Sequence, residues 1–366
     1  MINAYQKLTE RLLDQPKVWS VTGAAGFIGS NLVEALLRLN QRVIGLDNFS
    51  TGSVRNLDQI QELVGREKWA NFLHIEGDTR SADACSQVTH GVDYVLHQAA
   101  LGSVPRSIAS PLDSHESNVT GFLNMLSAAH KNGVKRFVYA SSSSVYGDHP
   151  GLPKREPEIG SCLSPYAVTK RANELYADVF ARCYGLESIG LRYFNVFGPR
   201  QDPDGPYAAV VPKWIAAMIQ NQPIHINGDG ETSRDFCYVA NVVQANLLAA
   251  TVDKAEAVNE IYNVAISART TLNQLYGVLR EKLLPWYPHL KRSTPVYRDF
   301  RPGDVRHSEA DISKAKRLLG YTPSYSLEQG LSEALEWYRK HSGPVTDQGD
   351  RPPGRRRPKS REPQRR

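Results

Sequence analysis

The stretch from Val18 to Leu37 leaves this chain few ways to fold. Val18-Trp-Ser-Val-Thr22 is a short apolar run that reads as a buried strand; Gly23-Ala-Ala-Gly26-Phe-Ile-Gly29 follows, and then Leu32, Val33, Leu36 and Leu37 recur at helical spacing. A strand that passes straight into a helix needs glycine where the backbone turns tightly. The helix start then offers unpaired N–H groups and a partial positive charge, a setting suited to a pyrophosphate. The spacing is G-x-x-G-x-x-G, not the G-x-G-x-x-G form. Glycines at a capped strand end would look the same, so the turn needs a partner. The next strand, Arg42-Val-Ile-Gly-Leu46, ends in Asp47, an acid about 20 residues on, where it can accept bonds from a ribose hydroxyl. That acid would repel a 2′-phosphate, which favours NAD over NADP. The expected contacts are Gly23, Gly26, Phe27, Ile28, Gly29, Asp47 and Asn48, with Ser50, Thr51 and Gly52 over the adenosine end.

Strand and helix patterns keep alternating, which predicts a parallel sheet flanked by helices. Asn71-Phe-Leu-His-Ile75 leads to Asp78, and Tyr94-Val-Leu-His97 leads to Gln98-Ala-Ala100. A helix over 118–131 precedes Arg136-Phe-Val-Tyr-Ala140, which runs into the serines. A helix over Pro165–Tyr184 precedes Ser188-Ile-Gly-Leu-Arg192. Ligands of such sheets lie beyond the carboxyl ends of the strands. Gly23, Asp47, Asp78, Ala99, Ser142 and Asn195 each fall at one. After Asn195 the regularity weakens, with helices expected over 212–220, Val239–Thr251, Leu272–Leu283 and 327–340. The chain thus divides into an N-terminal extension helix (1–16), a dinucleotide-binding domain (17–195), a smaller substrate domain with some chain returning to the first (196–341), and a tail (342–366).

No apolar run approaches the ~20 residues of a membrane span. The N-terminus is polar and mixed in charge, unlike a secretory signal; Tyr5, Leu8, Leu12 and Leu13 suit a short amphipathic helix. Cys85, Cys162, Cys183 and Cys237 show no C-x-x-C spacing, which argues against a disulfide framework or zinc site and fits a reducing cytoplasm. The net charge of +6 is misleading. From Ser342 onward eight Lys or Arg face three Asp or Glu, so the tail carries five of the six charges. Rich in proline and arginine and poor in apolar residues, it is expected to be disordered. A basic run can bind nucleic acid or acidic surfaces, but a solvated tail is the simpler reading and no nucleic-acid partner is expected.

Tyr166 and Lys170 point to the chemistry. In Ser164-Pro-Tyr-Ala-Val-Thr-Lys170 they are four apart, one helical turn on one face. An ammonium beside a phenol favours its ionised form. A tyrosine near its ordinary pKa of ~10 is a poor base at neutral pH, whereas one brought lower can take a proton from a sugar hydroxyl.

As a set these residues resemble the extended short-chain dehydrogenase/reductase family, and more narrowly its nucleotide-sugar 4-epimerases. The resemblance covers roughly residues 17–338. It rests on Thr22-Gly-Ala-Ala-Gly-Phe-Ile-Gly29, Asp47-Asn48, His97-Gln-Ala-Ala100, Ser141-Ser-Ser-Ser-Val-Tyr-Gly147, Tyr166-x-x-x-Lys170, Arg192-Tyr-Phe-Asn-Val-Phe-Gly-Pro-Arg200, Arg234-Asp235-Phe236 and Arg301-Pro-Gly-Asp304. Gln98-Ala-Ala-Leu-Gly-Ser-Val-Pro-Arg106 further resembles a bacterial branch acting on UDP-N-acetylhexosamines, and the N-terminal extension fits that branch. The tail matches nothing in the family pattern.

The resemblance implies an α/β, doubly wound parallel-sheet Rossmann fold with a smaller C-terminal α/β substrate domain. It implies transient oxidation at the sugar C4 by NAD, with Tyr166 taking the 4-hydroxyl proton. Lys170 would hold the nicotinamide ribose and lower the tyrosine pKa, and Ser142 would bond the 4-oxygen, with Ser143 a second contact. Asp78, Gln98, Ala99, Ala100, Lys170 and Tyr193 would complete the NAD site. Ser103, Asn195, Val210 and Trp214 would line the UDP-sugar site. Arg234 and Arg301 would hold the diphosphate by bidentate bonds, and Asp304 would meet a uridine ribose hydroxyl or orient Arg301. Dehydratases of this family carry Asp-Glu in place of two of the serines; Ser142, Ser143 and Ser144 include no carboxylate, which argues against dehydration.

Counted from Arg301-Pro-Gly-Asp304, Ser308 falls where hexose-only relatives carry tyrosine. A small residue there leaves room for a 2-acetamido group, so UDP-GlcNAc and UDP-GalNAc are the expected substrates. A UDP-glucuronate or UDP-N-acetylglucosaminuronate 4-epimerase is the near alternative, with Arg106 as a cation for the carboxylate. An alternative of another class is a catalytically silent NAD-binding regulator that uses the basic tail. By analogy the chain would form a homodimer through the helices over 118–131 and Pro165–Tyr184.

Overall fold

The computed structural model describes residues 3–204, 208–300 and 305–341. Its central sheet has seven strands: β1 (Val18–Thr22), β2 (Arg42–Asp47), β3 (Phe72–Glu76), β4 (Tyr94–His97), β5 (Arg136–Ser142), β6 (Ser188–Tyr193) and β7 (Glu260–Val264). The order is β3-β2-β1-β4-β5-β6-β7, and every pairing is parallel. This is the doubly wound order, with its reversal between β1 and β4. Parallel strands covered on both faces read as continuous apolar runs rather than alternating ones. β4 and β6 are buried along their whole length. One face packs under Leu32 and Leu36 of helix α1 (Phe27–Arg38) and Val242 and Leu247 of the helix Val239–Thr251. The other packs under Val88, Met125 and Ala177.

β7 has no counterpart in the sequence reading. It is five residues long, and its partner β6 lies about seventy residues earlier in the chain. Only the return of Val239–Thr251 to the sheet brings the two together. The helix expected over 118–131 also differs. A π-helical turn, Glu116–Thr120, leads into the α-helix Gly121–Lys131. In that turn the Asn118 side chain reaches inward, donating to Leu101 O and Thr169 Oγ1.

The N-terminal helix spans Ala4–Asp14, capped by reciprocal bonds between Asn3 and Gln6. Leu8 and Leu12, one turn apart, are buried, while Leu13 is 44% exposed: it sits about 100° round the helix from Leu12. Beyond β6, the helices Val210–Ile219, Leu272–Leu283 and Leu327–His341 surround a second core that includes Phe197, Ile226, Phe236 and Leu331. Among the described residues no helix is long and apolar enough to cross a membrane.

The turn between β1 and α1 is sterically tight. Gly23 has φ of +67°, and a Cβ on Gly29 would overlap the Gly23 carbonyl oxygen. Exposed Gly277, inside a helix, has open space around its would-be Cβ. The two positions should therefore respond oppositely to alanine. In urea unfolding, Gly29→Ala is expected to cost about 1–3 kcal/mol, whereas Gly277→Ala should gain about 0.5–1 kcal/mol.

Candidate active site

The glycine turn, the end of β2 and the end of β4 border a cleft of about 1020 Å³. Gly26 begins α1 with no side-chain cap, so the N–H groups of the first turn are left for a ligand. The Asp47 carboxylate is held rigidly, Oδ2 accepting from Ala25 N at 2.9 Å and Oδ1 from Phe49 N at 2.8 Å. Asn48 donates to Asp78 Oδ2 at 2.6 Å. Asp78 is pulled down to about 2, chiefly by its bond from Arg80. Of the residues expected at the cofactor, Gly23, Gly26, Phe27, Ile28, Gly29, Asp47, Asn48, Ser50, Thr51, Gly52, Asp78, Gln98, Ala99 and Ala100 all line this cleft. Tyr193 does not. It lies beneath, donating to Gln98 Oε1 at 3.0 Å and accepting from Asn246 Nδ2 at 2.9 Å, while Gln98 Nε2 donates to Asn246. Its ring is needed under the sheet edge, where it orients Gln98. A turn with no room for side chains, a fixed carboxylate one strand away and a cleft joining them fit a dinucleotide.

At the other end of the cluster are Ser142, Tyr166 and Lys170. Ser164 caps the helix α2 (Pro165–Tyr184), accepting from Ala167 N, and Pro165 occupies its first position. This places Tyr166 and Lys170 on the turn facing the end of β5. Ser142 Oγ accepts from both the N–H and the hydroxyl of Ser144, at 3.1 and 3.0 Å. Its one proton remains for donation. It is hydrogen-bonded with Tyr166, which pulls the phenol down, but burial is the larger effect and holds Tyr166 above its ordinary value. The lowering expected from Lys170 is therefore not seen. The ammonium lies 5.9 Å from the ring centroid and donates to Ala140 O at 2.8 Å; the phenol is governed by burial, opposed by Ser142. Lys170 itself is brought down to about 8 by burial, opposed by Glu174. His97, behind it, is lowered to about 3 by burial and then by Lys170, and its Nδ1 pairs with Thr22 Oγ1 at 2.9 Å.

The residues expected at the substrate are less uniformly gathered. Ser143 opens the short 3-10 turn after Ser142 and is half-buried. Ser103 caps the short helix Val104–Ala109, whose Ser107 accepts from Tyr166 N at 3.0 Å. Asn195 has φ of +32° and accepts from Cys237 N through its carbonyl. Arg234 donates to Ser233 O and Arg306 O, and Ser308 N donates to Ser233 O at 3.0 Å, so Arg234 and Ser308 share one neighbourhood. Val210 is half-buried at the start of its helix. Trp214 is different. It is only 5% exposed and packs edge-on to Tyr276 at 6.4 Å, within the second core. Arg301 and Asp304 lie outside the described residues, as does the basic tail.

Three buried polar residues escaped the sequence reading of the site. Asn118, 1% exposed, joins the loop at Leu101 to helix α2. Glu174 and Arg192 pair in the interior at 2.8 Å. Glu174 lies four residues beyond Lys170, a spacing that could have drawn notice. Nothing in the sequence marks Asn118 apart from its low helix propensity.

A fixed carboxylate for a ribose and, farther along the same edge, a phenol and an ammonium beside a serine are what a nicotinamide-dependent enzyme needs to oxidise a secondary alcohol. Residues 19–265 match the model of the NAD dependent epimerase/dehydratase family, and the chain belongs to that family. NAD is its cofactor. It is 35% identical over 324 residues to a putative UDP-glucose 4-epimerase of Methanocaldococcus jannaschii, covering 88% of this chain and 98% of that one. A UDP-N-acetylglucosamine 4-epimerase from Methanobrevibacter ruminantium, solved with UDP-N-acetylmuramic acid, is 39% identical. Its TM-score is 0.81, with 89% of this chain and 99% of that one covered. A UDP-glucuronic acid 4-epimerase from Bacillus cereus, solved with UDP-glucuronic acid and NAD, is 30% identical. Its TM-score is 0.79, with 88% and 99% covered.

Proposed function

We propose that this chain interconverts UDP-GlcNAc and UDP-GalNAc by NAD-dependent epimerisation at C4. The broader activity, UDP-sugar 4-epimerisation, is supported by the relatives above together with the cluster of Ser142, Tyr166 and Lys170. The observation that carries the acetylated reading is Ser308, a small, half-buried residue held beside Arg234. A 2-acetamido group needs space there that a tyrosine ring would fill.

Each side chain has a definite task. Ser142 donates its proton to the 4-oxygen and keeps it next to Tyr166. Tyr166 takes the 4-hydroxyl proton as C4 is oxidised and returns it when C4 is reduced from its other face. Lys170, anchored on Ala140 O, presents its ammonium to the ribose and stabilises the phenolate. Bound NAD⁺ supplies the oxidising ring and a positive charge, which together favour loss of the phenol proton. Asp47 and the glycine turn hold its adenosine and pyrophosphate. Arg234 offers a cation to the UDP diphosphate, joined by Arg301, while Asp304 is assigned to the uridine ribose.

The chain also has a face suited to a second copy. On α2, Val168, Leu175 and Val179 are exposed at spacings of seven and four, and Ile108 and Leu112 on the neighbouring short helices are 64% and 76% exposed. None of the large exposed apolar residues lies on Gly121–Lys131. The homodimer contact is thus assigned to α2 with the segment 104–115 instead of 118–131. In analytical ultracentrifugation the unaltered chain should sediment as a dimer, and Leu112→Glu with Leu175→Glu should give monomer; a monomeric unaltered chain would refute the assignment.

Purified protein given UDP-GlcNAc without added cofactor should form UDP-GalNAc. Turnover of UDP-glucuronate alone would replace this reading with the uronate one, and no turnover of any UDP-sugar would favour the silent regulator. Tyr166→Phe should cut turnover by about 10²–10⁴-fold. Ser308→Tyr should reduce turnover of the acetylated sugars by about tenfold or more while sparing UDP-glucose; equal losses on both would remove the gate.

A further inference from the structure

Helix α2 carries Tyr166 and Lys170, and the end of β5 carries Ser142. The carboxylate of Glu174 joins these two elements. Its side chain is fully buried. Oε1 accepts from Ser141 Oγ at 2.7 Å and from Arg192 Nε at 2.8 Å; Oε2 accepts from Arg192 Nη2 and Arg171 Nη1, both at 2.9 Å. Ser141 and Arg192 are register partners across β5 and β6, and the next pair along is Ser142 with Tyr193. Glu174 therefore grips a cross-strand pair one residue short of the serine that meets substrate and of the tyrosine that orients Gln98. One helical turn back from Glu174 is Lys170, and two turns back is Tyr166. Arg192 is fixed in turn: Nη1 donates to Glu156 O, and its guanidinium lies 4.8 Å from the centroid of the Tyr146 ring.

We propose that Glu174 is the positioning residue of the catalytic pair: it docks the Tyr166/Lys170 helix onto the serine edge of the sheet and sets its carboxylate one helical turn from Lys170. Glu174 is the anion that faces Lys170; the other groups around that ammonium are Tyr166 and, from β4, His97. Arg171 and Arg192 face Glu174, and its charge also reaches Tyr139 of β5 and Cys162 in the loop before α2. Burial alone drives Lys170 towards its neutral form, and the Glu174 charge works against it, leaving the ammonium near a midpoint of about 8. A Lys170 that lost its charge would no longer offer an ammonium to the bound ribose. The proposal rests on 4-epimerisation as the reaction, whichever UDP-hexose is preferred.

The test is lysine-selective ¹³Cε NMR on the full-length chain with NAD bound, with the Lys170 signal assigned by its loss in Lys170→Arg. Glu174→Gln keeps the shape and removes the charge. The Lys170 midpoint should fall by about one unit or more, and turnover at a fixed pH in the alkaline limb by about tenfold. Glu174→Asp should bring the midpoint most of the way back even where its melting temperature is lower. An unmoved midpoint in Glu174→Gln, or the same displacement in Glu174→Asp, would overturn the proposal and leave only a structural ion pair. Should Glu174→Gln not fold, Arg171→Met removes a half-exposed cation from the carboxylate; the midpoint should then rise, and a fall or no change would equally overturn the proposal. Lack of turnover by the unaltered chain would count against the reaction, whereas the NMR midpoints judge Glu174 independently of it.

Discussion

All seven strands of the central sheet run the same way, so all their carboxyl ends lie on one edge. The rest of the molecule depends on that constraint. Parallel pairing needs a crossover between successive strands. Each crossover delivers a loop to the same edge, and Gly23, Asp47, Gln98, Ser142 and Asn195 lie at the strand ends there or in the loops just beyond. The register then sets distances that sequence separation does not. Ser142 and Tyr193 are fifty-one residues apart along the chain but are direct partners across β5 and β6. Gln98, from the end of β4, comes to rest on Tyr193.

Burial gives this edge its chemistry and also opposes it. Removal from water disfavours charge, so Tyr166 is held up while Lys170 and His97 are brought down. Two groups counter this: the hydroxyl of Ser142 at the phenol and the carboxylate of Glu174 near the ammonium. The Glu174–Arg192 pair is itself buried, and such pairs gain little over apolar packing, yet removing one partner costs about 3–5 kcal/mol. Here the pair is completed by Ser141 and Arg171, which leaves both carboxylate oxygens with two donors each.

Much of the fold was legible because its signals are local. The glycine turn, the capped helix beginning Ser164-Pro165 and the run Val239–Thr251 each carry their own start, stop or periodicity. The cleft was legible for the same reason, since most of its residues sit at strand ends that the apolar runs define. Trp214 is harder to read, because an aromatic on an apolar helix face looks alike whether it meets a ligand or a core. β7 was missed because five residues carry too little pattern to reveal a partner strand so far upstream.

The sequence by itself determined the alternation of strand and helix, the glycine turn with its carboxylate, and the one-turn spacing of Tyr166 and Lys170. These follow from steric limits and periodicities that act within a few residues. Only the tertiary structure decided which protonation states burial favours, that Tyr193 is hydrogen-bonded to Gln98 and Asn246, and that Glu174 joins the helix of Tyr166 and Lys170 to Ser141 and Arg192. Those outcomes depend on which groups lose their water together, and that is fixed only when distant segments pack.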